Sequence, residues 1–183
     1  MKHFFQNIGE DWFTYPQFYQ YVVAKAQPNS HFVEVGSWKG RSSYFMAVEI
    51  INSGKNIRFD CVDTWKGSEE HVGMDCITND TLYHEFLTNI KPVMHVINPI
   101  RLLSVEASKM YEDKSLDFVF IDACHSYECV KEDIDYWLPK VKQNGIIGGH
   151  DIACPEVQKA VIEKIPQFKY APQWDVWIYE VTN

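Results

Sequence analysis

The sequence predicts an α/β fold, a mainly parallel sheet with helices on both faces. Three observations carry this. The segment Phe32-Val33-Glu34-Val35-Gly36-Ser37-Trp38-Lys39-Gly40-Arg41-Ser42-Ser43 runs an apolar stretch through an acid and two glycines into a helix start. That is the strand–turn–helix with which such sheets hold nucleotide-like ligands. Apolar runs of strand length alternate with helix-period segments through most of the chain, as in successive βαβ units. Four of the strand ends carry an acid: Glu34, Asp63, Asp122 and Asp151.

The elements follow in order. Tyr15, Phe18, Tyr19, Val22, Val23 and Ala26 predict an opening helix over 14–26, within an N-terminal helical segment 1–30. Gln27-Pro28-Asn29-Ser30 ends it. A strand is expected over 31–35, a helix over 41–52 stopped by Asn52-Ser53-Gly54, and a second strand over 57–62 closing in Asp63. Residues 64–80 are polar and contain glycine, with Trp65, His71 and Met74 among them, and read as a lid-like loop. A helix over 80–90 leads to a third strand over 93–97, which Asn98-Pro99 breaks. Residues 104–111 read as a short helix capped by Ser104. A fourth strand over 116–121 ends in Asp122, and a helix covers 127–138. Ile146-Ile147 forms a short fifth strand before Gly148-Gly149-His150-Asp151. Pro155 opens a helix over 155–164. Strands over 167–171 and 174–181 close the chain with no helix between them, so one pair is antiparallel.

Composition narrows the function. The 183 residues suit a single domain. A net charge of −8 argues against a nucleic-acid partner. No apolar run approaches the roughly 20 residues that cross a bilayer. The N-terminus lacks a long apolar stretch followed by small residues, so no signal peptide is expected. Five cysteines, an odd number without a C-x-x-C pair, read as free thiols in a reducing, cytoplasmic setting.

The site candidates lie at the strand ends. The glycines of the turn are spaced G-x-x-x-G rather than G-x-G-x-x-G. Glu34 before them would repel a pyrophosphate and could accept from an ammonium group, which suits a ligand with a positively charged amino-acid end. Asp63 stands where an acid can take ribose hydroxyls. Trp65 either stacks on a base or packs the loop. Ser104 either faces the base or only caps its helix. Asp122 with His125, and His150 with Asp151, place two acid–imidazole sets past adjacent strands, a pattern that serves proton transfer near neutral pH. Asp122, Asp151 and His150 are also candidate ligands for a hard divalent cation such as magnesium.

These residues resemble a class I S-adenosylmethionine-dependent methyltransferase. Glu34-Val35-Gly36-Ser37-Trp38-Lys39-Gly40-Arg41-Ser42 is similar to the first motif of that family. Val62-Asp63-Thr64-Trp65-Lys66-Gly67, Leu116 to Asp122, His125-Ser126-Tyr127 and Gly148-Gly149-His150-Asp151 are similar to strings of its small bacterial and phage-type members, related to O-methyltransferases. The resemblance implies a Rossmann-like, seven-stranded sheet of order 3-2-1-4-5-7-6 with the last strand antiparallel. It implies that Glu34, Gly36, Ser37 and Gly40 surround the methionine end of S-adenosyl-L-methionine, that Asp63 takes the ribose hydroxyls, and that Trp65 lies near the adenosine; Ser42, Thr64 and Ser104 are further candidate cofactor-binding residues. Asp122 matches the acid at the sulfonium end, and magnesium is a candidate second cofactor.

The expected reaction is methyl transfer to a small-molecule acceptor, with oxygen as the acceptor atom by resemblance. His125 or His150 would be the base, oriented by Asp122 or Asp151. The competing readings are an NAD(P)-binding oxidoreductase on a similar sheet and a module that binds the cofactor, or a partner, without catalysis. The acceptor's identity and the oligomeric state, a homodimer among the options, are left open.

Overall fold

The computed structural model describes residues 1–182, apart from the side chain of Pro172. Seven strands form one sheet in the order β3-β2-β1-β4-β5-β7-β6: β1 His31–Val35, β2 Arg58–Asp63, β3 Ile97–Arg101, β4 Leu116–Ile121, β5 Val141–Gly149, β6 Lys169–Ala171 and β7 Val176–Glu180. The β1–β5 pairings are parallel, and β7 runs antiparallel to both β5 and β6. This is the order and direction that the resemblance implied.

Among the described residues, seven α-helices connect and flank the strands: α1 Pro16–Lys25, α2 Arg41–Ser53, α3 Asp75–Thr78, α4 Leu82–Ile90, α5 Ser104–Ser108, α6 Tyr127–Trp137 and α7 Pro155–Lys164. The period-2 pleat sorts each strand's residues onto two faces. Phe32, Phe59, Phe118 and Phe120 pack on one face with Phe18, Tyr19, Phe45 and Val48 of α1 and α2. Val33, Val35, Val119, Ile121 and Ile147 pack on the other with Val130, Ile134 and Trp137 of α6 and Val157 and Val161 of α7.

Three elements depart from the sequence expectation. The third strand lies at 97–101 rather than 93–97, and Lys91–Val93 is a 3₁₀ turn. Asn98 and Pro99 lie inside this strand and pair with Asp60 and Cys61. Proline is tolerated because β3 is the sheet edge, where one side of the strand has no partner to receive its N–H. The fifth strand is nine residues long rather than short, and its register on β4 shifts between Leu116 and Phe118. The short helix that begins at Ser104 stops at Ser108, and Ser104 is its first residue rather than its cap.

The register levels the strand ends. Val35 lies opposite both Val62 and Ile121, and Ile121 lies opposite Gly149. The next residues, Gly36, Asp63, Asp122 and His150, therefore emerge at one height on the C-terminal edge.

Candidate active site

A cleft of about 1080 Å³ opens along that edge. Gly36, Ser37, Ser42, Asp63, Thr64, Ser104, Asp122, His125, His150 and Asp151 all line it. The turn after β1 is built for close approach. Gly36 has φ +89°, and a Cβ there would lie 2.0 Å from the Asp122 carbonyl oxygen, so only glycine lets β1 and β4 meet at this point. Asp63 closes the turn from the side: its carboxylate accepts from the backbone N–H groups of Ser37 (2.9 Å), Trp38 (2.8 Å) and Trp65 (2.7 Å). Trp38 and Asp151 hold φ +46° and +54°, strained values for non-glycine residues of the kind found at functional sites.

Three residues nominated from the sequence stand behind the cleft wall instead. Glu34 shares the pleat face of Phe32 and points into the core beneath α1 and α2, at 0% exposure. Its oxygens accept from Tyr19 Oη (2.8 Å), Ser37 Oγ (2.9 Å) and Ser43 Oγ. Burial pushes its carboxyl up, and the hydroxyl donors pull the other way. Trp65 is 1% exposed and packs on Tyr83 and Phe86, its Nε1 donating to the Trp38 carbonyl at 2.9 Å. Gly40 starts α2 against Ile90 and Phe86. The carboxylates that meet at the edge are thus Asp63, Asp122 and Asp151, without Glu34.

At one end of the cleft, Asp122, His125, His150 and Asp151 form a compact cluster. His125 Nε2 lies 2.9 Å from Asp151 Oδ2 and 3.9 Å from Asp122 Oδ1, and its Nδ1 lies 3.1 Å from Glu70 Oε1. His150 Nδ1 lies 3.1 Å from Asp151 Oδ2 and 3.6 Å from Asp122 Oδ1. Thr14 Oγ1 donates to the Trp174 carbonyl and so accepts from His150 Nε2, 2.9 Å away. The Tyr15 hydroxyl donates to Asp122 Oδ2 at 2.7 Å.

Asp122 and then Asp151 hold the His125 imidazole up to about 11. Burial opposes protonation of His150, yet the same two acids bring it to about 10. Partial burial would raise the Asp151 carboxyl, but both imidazoles pull it well below the usual carboxylate range. Two carboxylates and two imidazolium groups therefore neutralise one another, which answers the repulsion expected of converging acids.

Donor atoms of Asp122, His125 and Asp151 all lie within 4.8 Å of one another, and so do those of His150, Asp151 and Asp175. The sequence grouped His150 with Asp122 and Asp151; His150 Nδ1 lies within 3.6 and 3.1 Å of them, and His125 Nε2 approaches the same two acids at 3.9 and 2.9 Å.

Residues without a sequence signal complete the site. Thr14 and Tyr15 come from the segment before α1, over a hundred residues from their partners. Trp12, Trp38 and His71 form an aromatic wall, with Trp38 and His71 stacked 4.3 Å apart. The 64–80 segment contributes Ser68, Glu70, His71 and Met74 to the lining and contains a 3₁₀ turn, Glu69–His71, as well as α3. Asp133, on α6, also lines the cleft.

A family model described as a methyltransferase domain matches residues 33–152. The chain belongs to the methyltransferase family. Its sheet order and antiparallel β7 are those of the class I S-adenosylmethionine-dependent methyltransferases, and the family implies use of that cofactor. The dinucleotide-binding order 3-2-1-4-5-6 is not the one observed.

The methyltransferase is similar to several solved structures. The O-methyltransferase NovP matches with TM-score 0.72 and 16% identity, over 92% of this chain and 79% of that one. Cofactor-bound Rv0187 from MTB matches with TM-score 0.66 and 13% identity, over 92% and 80%. A protein assigned as an rRNA methylase, from Clostridium thermocellum, matches with TM-score 0.63 and 11% identity, over 90% and 94%. At these identities the likeness is one of fold. The uncharacterized protein y4gI of Sinorhizobium fredii is 29% identical over 156 residues, 84% of this chain. The methyltransferase spans only 16% of that relative's length. Among the described residues, no helix is long and apolar enough to cross a membrane.

Proposed function

We propose that this methyltransferase moves the methyl group of S-adenosylmethionine onto an oxygen atom of a small-molecule acceptor. The observation that carries this reading is the convergence of Gly36, Asp63 and the Asp122–His125–His150–Asp151 cluster on one cleft. Its volume of about 1080 Å³ is at the upper end for a single drug-sized ligand, which leaves space for cofactor and acceptor together.

The residues present fit the cofactor. The lining is rich in carboxylates, which favour a ligand with a net positive charge, and the Gly36 turn offers backbone to its methionine end. Gly36, Ser37 and Ser42 would hold that end, Asp63 and Thr64 the ribose, Ser104 the base side, and Asp122 the sulfonium side. Glu34, Gly40 and Trp65 support this wall from behind. When bound, the cofactor supplies an electrophilic methyl carbon. The chain's own work is to align the acceptor, exclude water and take a proton.

The proton falls to His125, the more open of the two imidazoles at 31% exposure against 9%, with Asp122 and Asp151 as its orienting carboxylates. His150, tied to Thr14, is the second candidate. Each imidazole must first release the proton that the acids stabilise. As an alternative to proton abstraction by His125, a divalent cation fits Asp122, His125 and Asp151, because His125 Nε2 is buried without an aligned hydrogen-bond partner; with Nε2 bound to it, that nitrogen would not serve as the base. An imidazole donor suits manganese better than magnesium, which prefers oxygen. Such an ion would lower the pKa of an acceptor hydroxyl.

A labelled-methyl assay over a panel of hydroxylated sugars, phenols and peptide-derived compounds, with manganese, magnesium or chelator, tests this. Transfer to at least one hydroxyl is expected, with a loss of about 100-fold or more in His125→Ala. Binding of S-adenosylhomocysteine without transfer to any compound would favour the non-catalytic reading. Failure of S-adenosylhomocysteine to bind at all would overturn the proposal.

A further inference from the structure

Two of the five cysteines meet at the cleft. Cys124 lies in the loop that follows Asp122, and Cys129 lies in the first turn of α6. Both are half-buried and both line the cleft, whereas Cys61 and Cys76 are buried in the core and Cys154 stands at the start of α7. The Cys124 and Cys129 thiols are hydrogen-bond partners. Cys124 Sγ also lies 3.4 Å from Ser126 Oγ. Ser126 occupies the N-cap of α6, where a serine hydroxyl ordinarily accepts from the first N–H groups of the helix. Its side chain makes no such bond here, and its hydroxyl serves the thiol pair rather than the helix end. Two thiols in contact and open to a cleft are the arrangement in which one oxidised cysteine is resolved by the other.

The loop between them touches both halves of the site. A Cβ on Gly36 would lie 2.0 Å from the Asp122 carbonyl oxygen and 2.8 Å from Ala123 Cα, so the residues before Cys124 abut the turn after β1. The residue after it is His125, which reaches Asp151 and Glu70. A disulfide requires an S–S bond of about 2.05 Å and Cβ atoms about 4 Å apart. Its formation draws Cys124 toward α6 and pulls on Ala123 on one side and on His125 on the other.

We propose that Cys124 and Cys129 form a reversible disulfide on reaction with a hydroperoxide, and that the bridged cleft binds the cofactor more weakly. The second part rests on the cofactor reading above. In the first step the Cys124 sulfur attacks one peroxide oxygen. An S–O bond forms, the O–O bond breaks, and the thiol proton leaves with the other oxygen as water or an alcohol. In the second step the Cys129 sulfur displaces the hydroxyl from the Cys124 sulfenic acid. The S–S bond forms, the S–O bond breaks, and the Cys129 proton leaves with the hydroxyl as water. Two electrons pass from the thiols to the peroxide. A dithiol reductant reverses the bridge by exchange.

Hydrogen peroxide treatment of the full chain, followed by intact-mass measurement and peptide mapping, tests the bridge. A loss of about 2 Da, a Cys124–Cys129 cross-linked peptide and recovery with dithiothreitol are expected. Cys129→Ser is expected to form no bridge and to hold Cys124 as a sulfenic acid that dimedone labels. Peroxide treatment that leaves both thiols free, or that oxidises them singly without a cross-link, in the wild-type chain overturns the proposal, whether or not the variant folds. Calorimetry with S-adenosylhomocysteine then reads the switch. The bridged chain is expected to bind about fivefold or more weakly than the reduced chain, a difference that dithiothreitol removes. Equal affinity of the bridged and reduced chains overturns the switch. If the reduced chain binds no S-adenosylhomocysteine, the cofactor reading itself has failed, and the bridge stands or falls on the mass measurement.

Discussion

Glu34 illustrates how much a single residue's direction matters. Its place two residues before Gly36 suggested a contact with the cofactor's ammonium group, but the β1 pleat turns it onto the Phe32 face, into the core with Tyr19, Ser37 and Ser43. Its role in this geometry is to accept three buried hydroxyls. Glu34→Ala removes that acceptor and is expected to destabilise the fold by about 3 kcal/mol in urea denaturation. S-adenosylhomocysteine affinity of the folded fraction should change far less. Unchanged stability with lost affinity would return Glu34 to the ligand. Trp65 is a parallel case: its identity allowed either stacking on a base or packing, and its contacts with Tyr83 and Phe86 decide for packing.

At the level of elements, the turn between β1 and α2 decides whether the cleft exists. It follows β1 where Gly36 N–H donates to the Val62 carbonyl and Asp122 N–H donates to the Val35 carbonyl, both at 2.8 Å. A methyl group on Gly36 would drive into the Asp122 carbonyl. Gly36→Ala is therefore expected to lower stability by about 3 kcal/mol or more and to weaken S-adenosylhomocysteine binding at least about tenfold, read by denaturation and calorimetry. Retention of both would mean that the turn relaxes without moving β4. The edge strand β3 shows the converse. Asn98-Pro99 reads as a breaker by local rules, and only its position at the sheet edge makes it compatible with a strand.

Over the whole molecule, polar networks tie distant segments together. Asp60, buried within β2, accepts from His31 Nε2 (2.7 Å), Tyr111 Oη (2.9 Å) and Asn98 Nδ2 (2.9 Å), joining β1, β3 and the segment after α5. Burial would raise its carboxyl, but these partners outweigh burial and bring it to about 2 from an ordinary 3.8. The folded state then binds fewer protons than the unfolded state between those values. The stabilisation is present above pH 4 and is lost as pH falls through about 2. It amounts to about 2 kcal/mol. Acid denaturation of the wild-type chain and Asp60→Asn should show a stability difference that shrinks by about that amount across this window. A pH-independent difference would contradict the assignment. The same logic of long-range closure applies at the cleft, where Thr14 and Tyr15 reach His150 and Asp122.

Strand and helix periodicity, the glycines after β1 and the acids closing the strands were enough to establish an α/β sheet with a site along its C-terminal edge. Those are local signals: period, turn chemistry and the residue that follows an apolar run are all written in consecutive positions. The sheet order, the family and the nominated cofactor positions came from motif resemblance. Tertiary structure decided which nominated side chains reach the cleft, because a one-residue step along a strand reverses the face. It also decided that His125 joins Asp122 and Asp151, and that Thr14, Tyr15 and Asp133 complete the wall. Those contacts form only when segments remote in sequence are packed side by side, and no spacing along the chain encodes them.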